Sequence, residues 1–70
     1  MTIRSRVLRR EPRCVMCMLD GRLAVAVEVD HVIPLHMGGT DDYTNLQGLC
    51  VACHQRKTIA EMTGPNPYFK

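Results

Sequence analysis

The spacing of apolar residues changes twice along this chain. Ile3, Val7 and Leu8 recur at i, i+4 and i+5 with arginines filling the positions between them, so residues 3–10 predict a short amphipathic helix. Pro12 ends or redirects it. Cys14-Val15-Met16-Cys17 reads as a tight knuckle, and Asp20-Gly21 as a turn. From Leu23 to His31 the period becomes two. Val25, Val27 and Val29 alternate with Ala24, Ala26 and Glu28, which predicts a strand closed by Pro34. Residues 36–45 contain Gly38-Gly39, Thr40, Asp41 and Asp42 and read as a polar loop. Leu46–Leu49 predicts a brief second strand, and residues 51–62 a helix stopped by Gly64-Pro65-Asn66-Pro67. The order is helix, knuckle, strand, loop, strand, helix, an α+β arrangement. It divides into a basic N-terminal arm or helix (1–13), a core (14–62) and an extended C-terminal tail (63–70).

Composition says what such a chain lacks. With 70 residues, no Trp, one Phe and two Tyr, it cannot bury enough apolar surface to rest on its core alone. Disulfides, a metal or a partner must supply the difference. The four cysteines answer that need. Residues 1–20 have no apolar segment of the secretory kind, which predicts a reducing cytoplasm. In that compartment paired Cys-x-x-Cys favours a metal over the three possible two-disulfide connectivities. No stretch has the length of a membrane span.

Cys14/Cys17 and Cys50/Cys53 are the set for a closed tetrahedral zinc. The 32 residues between the pairs exceed the compact zinc-ribbon spacing, so a hairpin must fold between the knuckles. Such a zinc would staple the first knuckle to the start of the last helix.

The formal net charge of +2 hides an asymmetry: Arg4, Arg6, Arg9, Arg10 and Arg13 lie in the first thirteen residues against Glu11 alone. A basic arm on a near-neutral body suits a polyanion such as nucleic acid. Arg56 and Lys57, on the last helix, are further candidates for phosphate contact.

Asp30, His31, Asn45 and His54 remain, and all four lie beside what the zinc would fix. His54 follows Cys53 directly, and Asp30-His31 ends the first strand. Attack on a phosphodiester needs a base for water, and imidazole suits neutral pH. It also needs a hard cation to offset charge on the phosphate. One carboxylate and one imidazole with open positions fit Mg²⁺, Mn²⁺, Ni²⁺ or a similar divalent ion. An ideal strand would point Asp30 and His31 to opposite faces, so for both to serve one site the backbone must twist or leave the pleat there.

The runs Glu28-Val29-Asp30-His31-Val32-Ile33-Pro34-Leu35, Asn45-Leu46-Gln47-Gly48-Leu49-Cys50 and Cys53-His54-Gln55-Arg56-Lys57-Thr58, with the Gly38-Gly39 loop, resemble HNH endonucleases that carry a four-cysteine zinc. Small bacteriophage-encoded members look most similar. The resemblance implies a zinc-stapled ββα-metal domain and hydrolysis of DNA to 5′-phosphate and 3′-hydroxyl ends. It implies His31 as general base, Asn45 as the residue orienting it, and Asp30 and His54 as ligands of the catalytic cation. Cys14, Cys17, Cys50 and Cys53 match the structural zinc set. The little surface beyond the motif suggests nicking with weak sequence specificity. A phage terminase accessory in the bacterial host cytoplasm is one setting. The rival reading is a catalytically silent zinc module binding nucleic acid or a protein partner. A redox role for Cys-x-x-Cys would need a thioredoxin-like βαβ pattern, which this chain lacks.

Overall fold

The computed structural model describes residues 1–63; the predicted tail beyond Thr63 lies outside them. Helix α1 (Ile3–Arg10) matches the amphipathic prediction. Thr2 caps it, its hydroxyl accepting from the Ser5 N–H at 3.0 Å, and Arg9 and Arg10 occupy the last turn, where cations suit the helix dipole. Val7, the middle of the apolar stripe, is fully buried. The knuckle is a short helix, α2 (Val15–Leu19), and helix α3 runs Val51–Thr63.

Strands β1 (Glu28–His31) and β2 (Leu46–Leu49) form an antiparallel hairpin. Its register pairs Glu28 with Leu49, Val29 with Gly48, Asp30 with Gln47 and His31 with Leu46. The predicted strand over 23–31 is thus only half right. Its first half is extended but pairs elsewhere: Cys14 N–H donates to Ala24 O (2.7 Å) and Ala26 N–H to Pro12 O (2.9 Å), before Val27 N–H joins Leu49 O (2.9 Å). The chain between the two cysteine knuckles therefore hydrogen-bonds first to the knuckle and then to β2.

The alternation is real, but its inward face is the alanine face. Ala26 is buried, while Leu23, Val25 and Val27 are exposed. Lack of room explains this. A Cβ added to Gly48 would lie 2.8 Å from Glu11 O and 2.9 Å from the Ala26 Cβ, so strand and neighbour approach too closely for valine.

The loop between the strands contains two single 3₁₀ turns, Leu35–Met37 and Tyr43–Asn45. It folds back tightly at Gly39, where an added Cβ would lie 1.8 Å from Ile33 O and 2.9 Å from Pro34 O. Both obstacles are backbone, so neither can swing aside. Helix α1 is tied to the hairpin by guanidinium straps. Arg4 donates to Val27 O (2.7 Å). Arg10 donates to Tyr43 O (3.1 Å) and Leu46 O while stacking on the Tyr43 ring at 4.3 Å.

Gly39→Ala is expected to destabilise the zinc-loaded protein by about 1–3 kcal/mol through overpacking. Thermal melting of variant and wild type side by side checks this; equal melting temperatures would mean that the loop does not fold back against Ile33.

Candidate active site

The four cysteine sulfurs lie within 4.8 Å of one another. All four cysteines are free. Cys17 Sγ is 3.8 Å from Cys50 Sγ and 3.6 Å from Cys53 Sγ. A disulfide would need about 2.05 Å. A tetrahedron of sulfurs each about 2.3 Å from zinc has edges of roughly 3.8 Å, which the Cys17–Cys50 and Cys17–Cys53 distances match, so the four sulfurs are grouped as the ion requires.

Both pairs are built alike. The first cysteine precedes a helical turn, and its sulfur accepts from the backbone N–H of the second, at 3.4 Å for Cys14–Cys17 and 3.5 Å for Cys50–Cys53. Burial pushes the Cys14 thiol up, but the N–H groups of Cys50 and Cys17 outweigh it and bring its pKa down to about 6. Cys17 is pushed up to about 12, first by its hydrogen bond with Cys53 and then by burial. Within the cluster the thiolate form is thus favoured at Cys14 and disfavoured at Cys17. Arg56 Nη2, expected on phosphate, donates to Cys53 Sγ at 3.4 Å and so faces this centre.

The cysteines are also the core. Cys14, Cys17, Cys53 and Leu49 form its buried cluster, with Val15, Met16, Ala24 and Cys50 packed against it.

Cys53 places the next residue, His54, at the seam between α3 and β1. There His54 Nε2 lies 3.7 Å from Asp30 Oδ1. That is too long for a hydrogen bond, but two ligands each about 2.1 Å from one shared ion stand roughly 3–4 Å apart. The other carboxylate oxygen is already engaged: Asp30 Oδ2 accepts from Gln47 Nε2 (3.0 Å) and Lys57 Nζ (2.9 Å). Asp30 is nearly buried and His54 about one-third exposed, so the pair opens to solvent on the imidazole side.

His31 is the last residue of β1, and the chain leaves the pleat immediately after it, at Val32–Ile33. Its Nε2 lies 2.8 Å from Asp41 Oδ1. An ionised carboxylate only accepts, so Nε2 carries a proton, and Nδ1 is the ring nitrogen that no protein group engages among the described residues. In the sequence Asp41 reads only as part of the polar loop, and its spatial position reveals the contact. Asn45 does not hydrogen-bond the His31 ring. Its Oδ1 accepts from Ile33 N–H (3.0 Å), and its Nδ2 donates to Ile33 O (3.0 Å) and Thr40 O (2.7 Å). It holds the backbone that follows His31, and influences the ring through that backbone.

The phosphate-contact residues separate into groups. Arg6 and Arg9 are exposed on α1, with Arg6 over the Tyr43 ring at 5.3 Å. Arg4 and Arg10 spend their guanidinium groups as the straps described above. Lys57 differs from the arginines: its side chain is 6% exposed and its ammonium faces inward, toward Asp30.

Comparison with known proteins adds three findings. A family model for HNH endonucleases matches residues 14–59. A protein of Lactococcus phage SK1, named a probable HNH endonuclease, is 37% identical over 65 residues, covering 83% of this chain and 67% of that protein. The crystal structure of the deep-sea thermophilic bacteriophage GVE2 HNH endonuclease with manganese ion superposes with a TM-score of 0.75 at 38% identity, over 86% of this chain and 68% of the other.

Removing zinc with a chelator, or Cys50→Ser, is expected to abolish the folded state, since structural zinc contributes roughly 10–16 kcal/mol in small domains. Far-UV circular dichroism reads the loss, and an unchanged spectrum after complete removal would contradict it. Because Cys17 must release a proton to bind metal, zinc affinity should rise with pH through neutrality. Competition against a chromophoric chelator at two pH values measures that slope.

Proposed function

The chain belongs to the HNH endonuclease family, a family of metal-dependent nucleases, and we propose that it hydrolyses DNA phosphodiester bonds by nicking with weak sequence specificity. The observation that carries the reading is the 3.7 Å approach of Asp30 Oδ1 to His54 Nε2, next along β1 to a histidine with a free Nδ1. Asp30 and His54 are the residues that would hold a divalent cation. When bound, such an ion supplies positive charge to the scissile phosphate and the leaving oxygen. Manganese in the related phage GVE2 structure supports Mn²⁺ among Mg²⁺, Ni²⁺ and similar ions.

His31 takes the proton of the attacking water at Nδ1. Asp41, on the opposite ring nitrogen, holds the tautomer and stabilises the imidazolium that results. Asn45 keeps the loop after His31 in place, and so sets the direction from which the base works. Arg6 and Arg9, exposed on α1, grip the DNA backbone. Contacts to phosphate position a duplex without reading its sequence, which is the basis for weak specificity. The phage origin of both relatives supports action in the bacterial host cytoplasm. An accessory role beside the DNA-packaging terminase is the setting we propose there. Among the described residues no helix is long and apolar enough to cross a membrane.

The test is a supercoiled-plasmid assay with Mg²⁺, Mn²⁺, Ni²⁺ or EDTA. Wild type is expected to nick with a cation and not in EDTA. His31→Ala should lose roughly 10²–10⁴-fold in rate while keeping zinc and cation. Nicking by His31→Ala at the wild-type rate would remove His31 as base. A wild type that binds DNA and zinc but fails to nick under every cation condition would favour the silent zinc module. Asp30→Ala and His54→Ala are each expected to weaken cation binding in calorimetric titration while zinc content stays at one per chain; normal affinity in both would contradict the ligand assignment.

A further inference from the structure

Lys57 is the buried charge that this reaction leaves unused. It lies one helical turn beyond Cys53 on α3. Burying an ammonium is costly unless each of its charges and protons is matched. The match here comes from functional residues: Nζ is 2.9 Å from Asp30 Oδ2 and 2.8 Å from His31 O, and it pairs with Glu61 Oε2, itself about as buried as Asp30. One group thus touches the carboxylate offered to the cation and the backbone of the residue offered as base, and joins both to α3.

The charges sharpen the point. Asp30 and Glu61 carry two negative charges against one positive. Were Lys57 to face Asp30 alone, it would neutralise the carboxylate and remove the attraction for a cation. Shared with Glu61, it leaves the cluster one negative charge. Gln47 and Lys57 together occupy Oδ2, so the oxygen left to express that charge is Oδ1, the one that faces His54.

We infer that Lys57, balanced by Glu61, is a positioning residue: it turns Asp30 Oδ1 toward the cation and fixes the end of β1 that carries His31 against α3. The inference rests on the proposed ligand role of Asp30 and His54.

The test compares zinc-loaded wild type, Lys57→Met/Glu61→Gln, Lys57→Arg and Glu61→Gln. The double variant keeps the cluster's net charge and leaves Gln47 on Asp30 Oδ2, so what it loses is the ammonium's hold on Asp30 and on the His31 carbonyl. Calorimetric titration with Mn²⁺ in the absence of DNA is expected to show affinity weakened roughly 10–100-fold, the usual effect of removing a group that orients a metal ligand. Turnover should fall while KM for DNA is unchanged, and DNA binding in EDTA should keep its salt dependence. Lys57→Arg should recover part of both Mn²⁺ affinity and turnover. A lysine that merely contacts phosphate predicts the reverse: intact Mn²⁺ affinity, weaker DNA binding and a salt slope shallower by about one. That result overturns the inference. If the double variant does not fold, Glu61→Gln decides. It should weaken Mn²⁺ binding because Lys57 then neutralises Asp30 alone, and wild-type affinity would overturn the proposal. Wild type that takes up no Mn²⁺ sinks the parent reading and this inference with it. Wild type that binds Mn²⁺ no better than all three variants sinks this inference alone.

Discussion

Sulfur ligation at the junction of α2 and α3 is the constraint on which the rest of the molecule depends. Apart from the cysteines, the buried apolar side chains among the described residues are Val7, Ala26, Pro34, Leu46 and Leu49. That is too little to hold three helices and a hairpin together. The ion that the sulfurs are placed to take is therefore worth as much as the whole margin of an ordinary domain, about 5–15 kcal/mol. Its location matters as much as its strength. Cys53 is a sulfur donor and His54 is the next residue, so what fixes the rotation of the first turn of α3 also fixes the imidazole. Cys53, Lys57 and Glu61 recur every four residues, which puts sulfur, ammonium and carboxylate on one inward stripe of the same helix.

Much of this was legible beforehand, for physical reasons. Cysteine spacing is nearly diagnostic because ligand chemistry tolerates few alternatives. Helix α1 was readable from a three-residue stripe and a proline. The phase of the strand before β1 was not, because alternation specifies two faces without saying which is inside. Valine outranks alanine only where there is space, and the close approach of Gly48 removes it. The inward turn of Lys57 is not legible in the sequence, because charge on a helix usually means solvent and its carboxylate partners lie 27 positions before it and four after. The Asp30 link could not be seen along the chain, although the i, i+4 spacing to Glu61 was available as a hint. Asp41 escaped notice for the same reason: it meets His31 across a loop whose path no local pattern dictates.

A second economy follows from the scarcity of apolar material. Cationic side chains serve as cross-links here. Arg4 and Arg10 join α1 to backbone carbonyls of the hairpin, Arg56 reaches a sulfur, and Lys57 joins two strand residues to α3. A net positive composition thus overstates the surface available to a polyanion. What is left facing outward on α1 is mainly Arg6 and Arg9, which agrees better with a shallow electrostatic grip than with a dedicated reading head.

The single side chain of Asn45 grips Ile33 and Thr40 together, closing the intervening turn into a ring whose neck is far narrower than its circumference. Anything spliced into the exposed stretch around Leu35 and His36 would protrude beyond that neck without tugging on the hairpin beneath. One amide thus marks this loop as the place where added length would load the hairpin least.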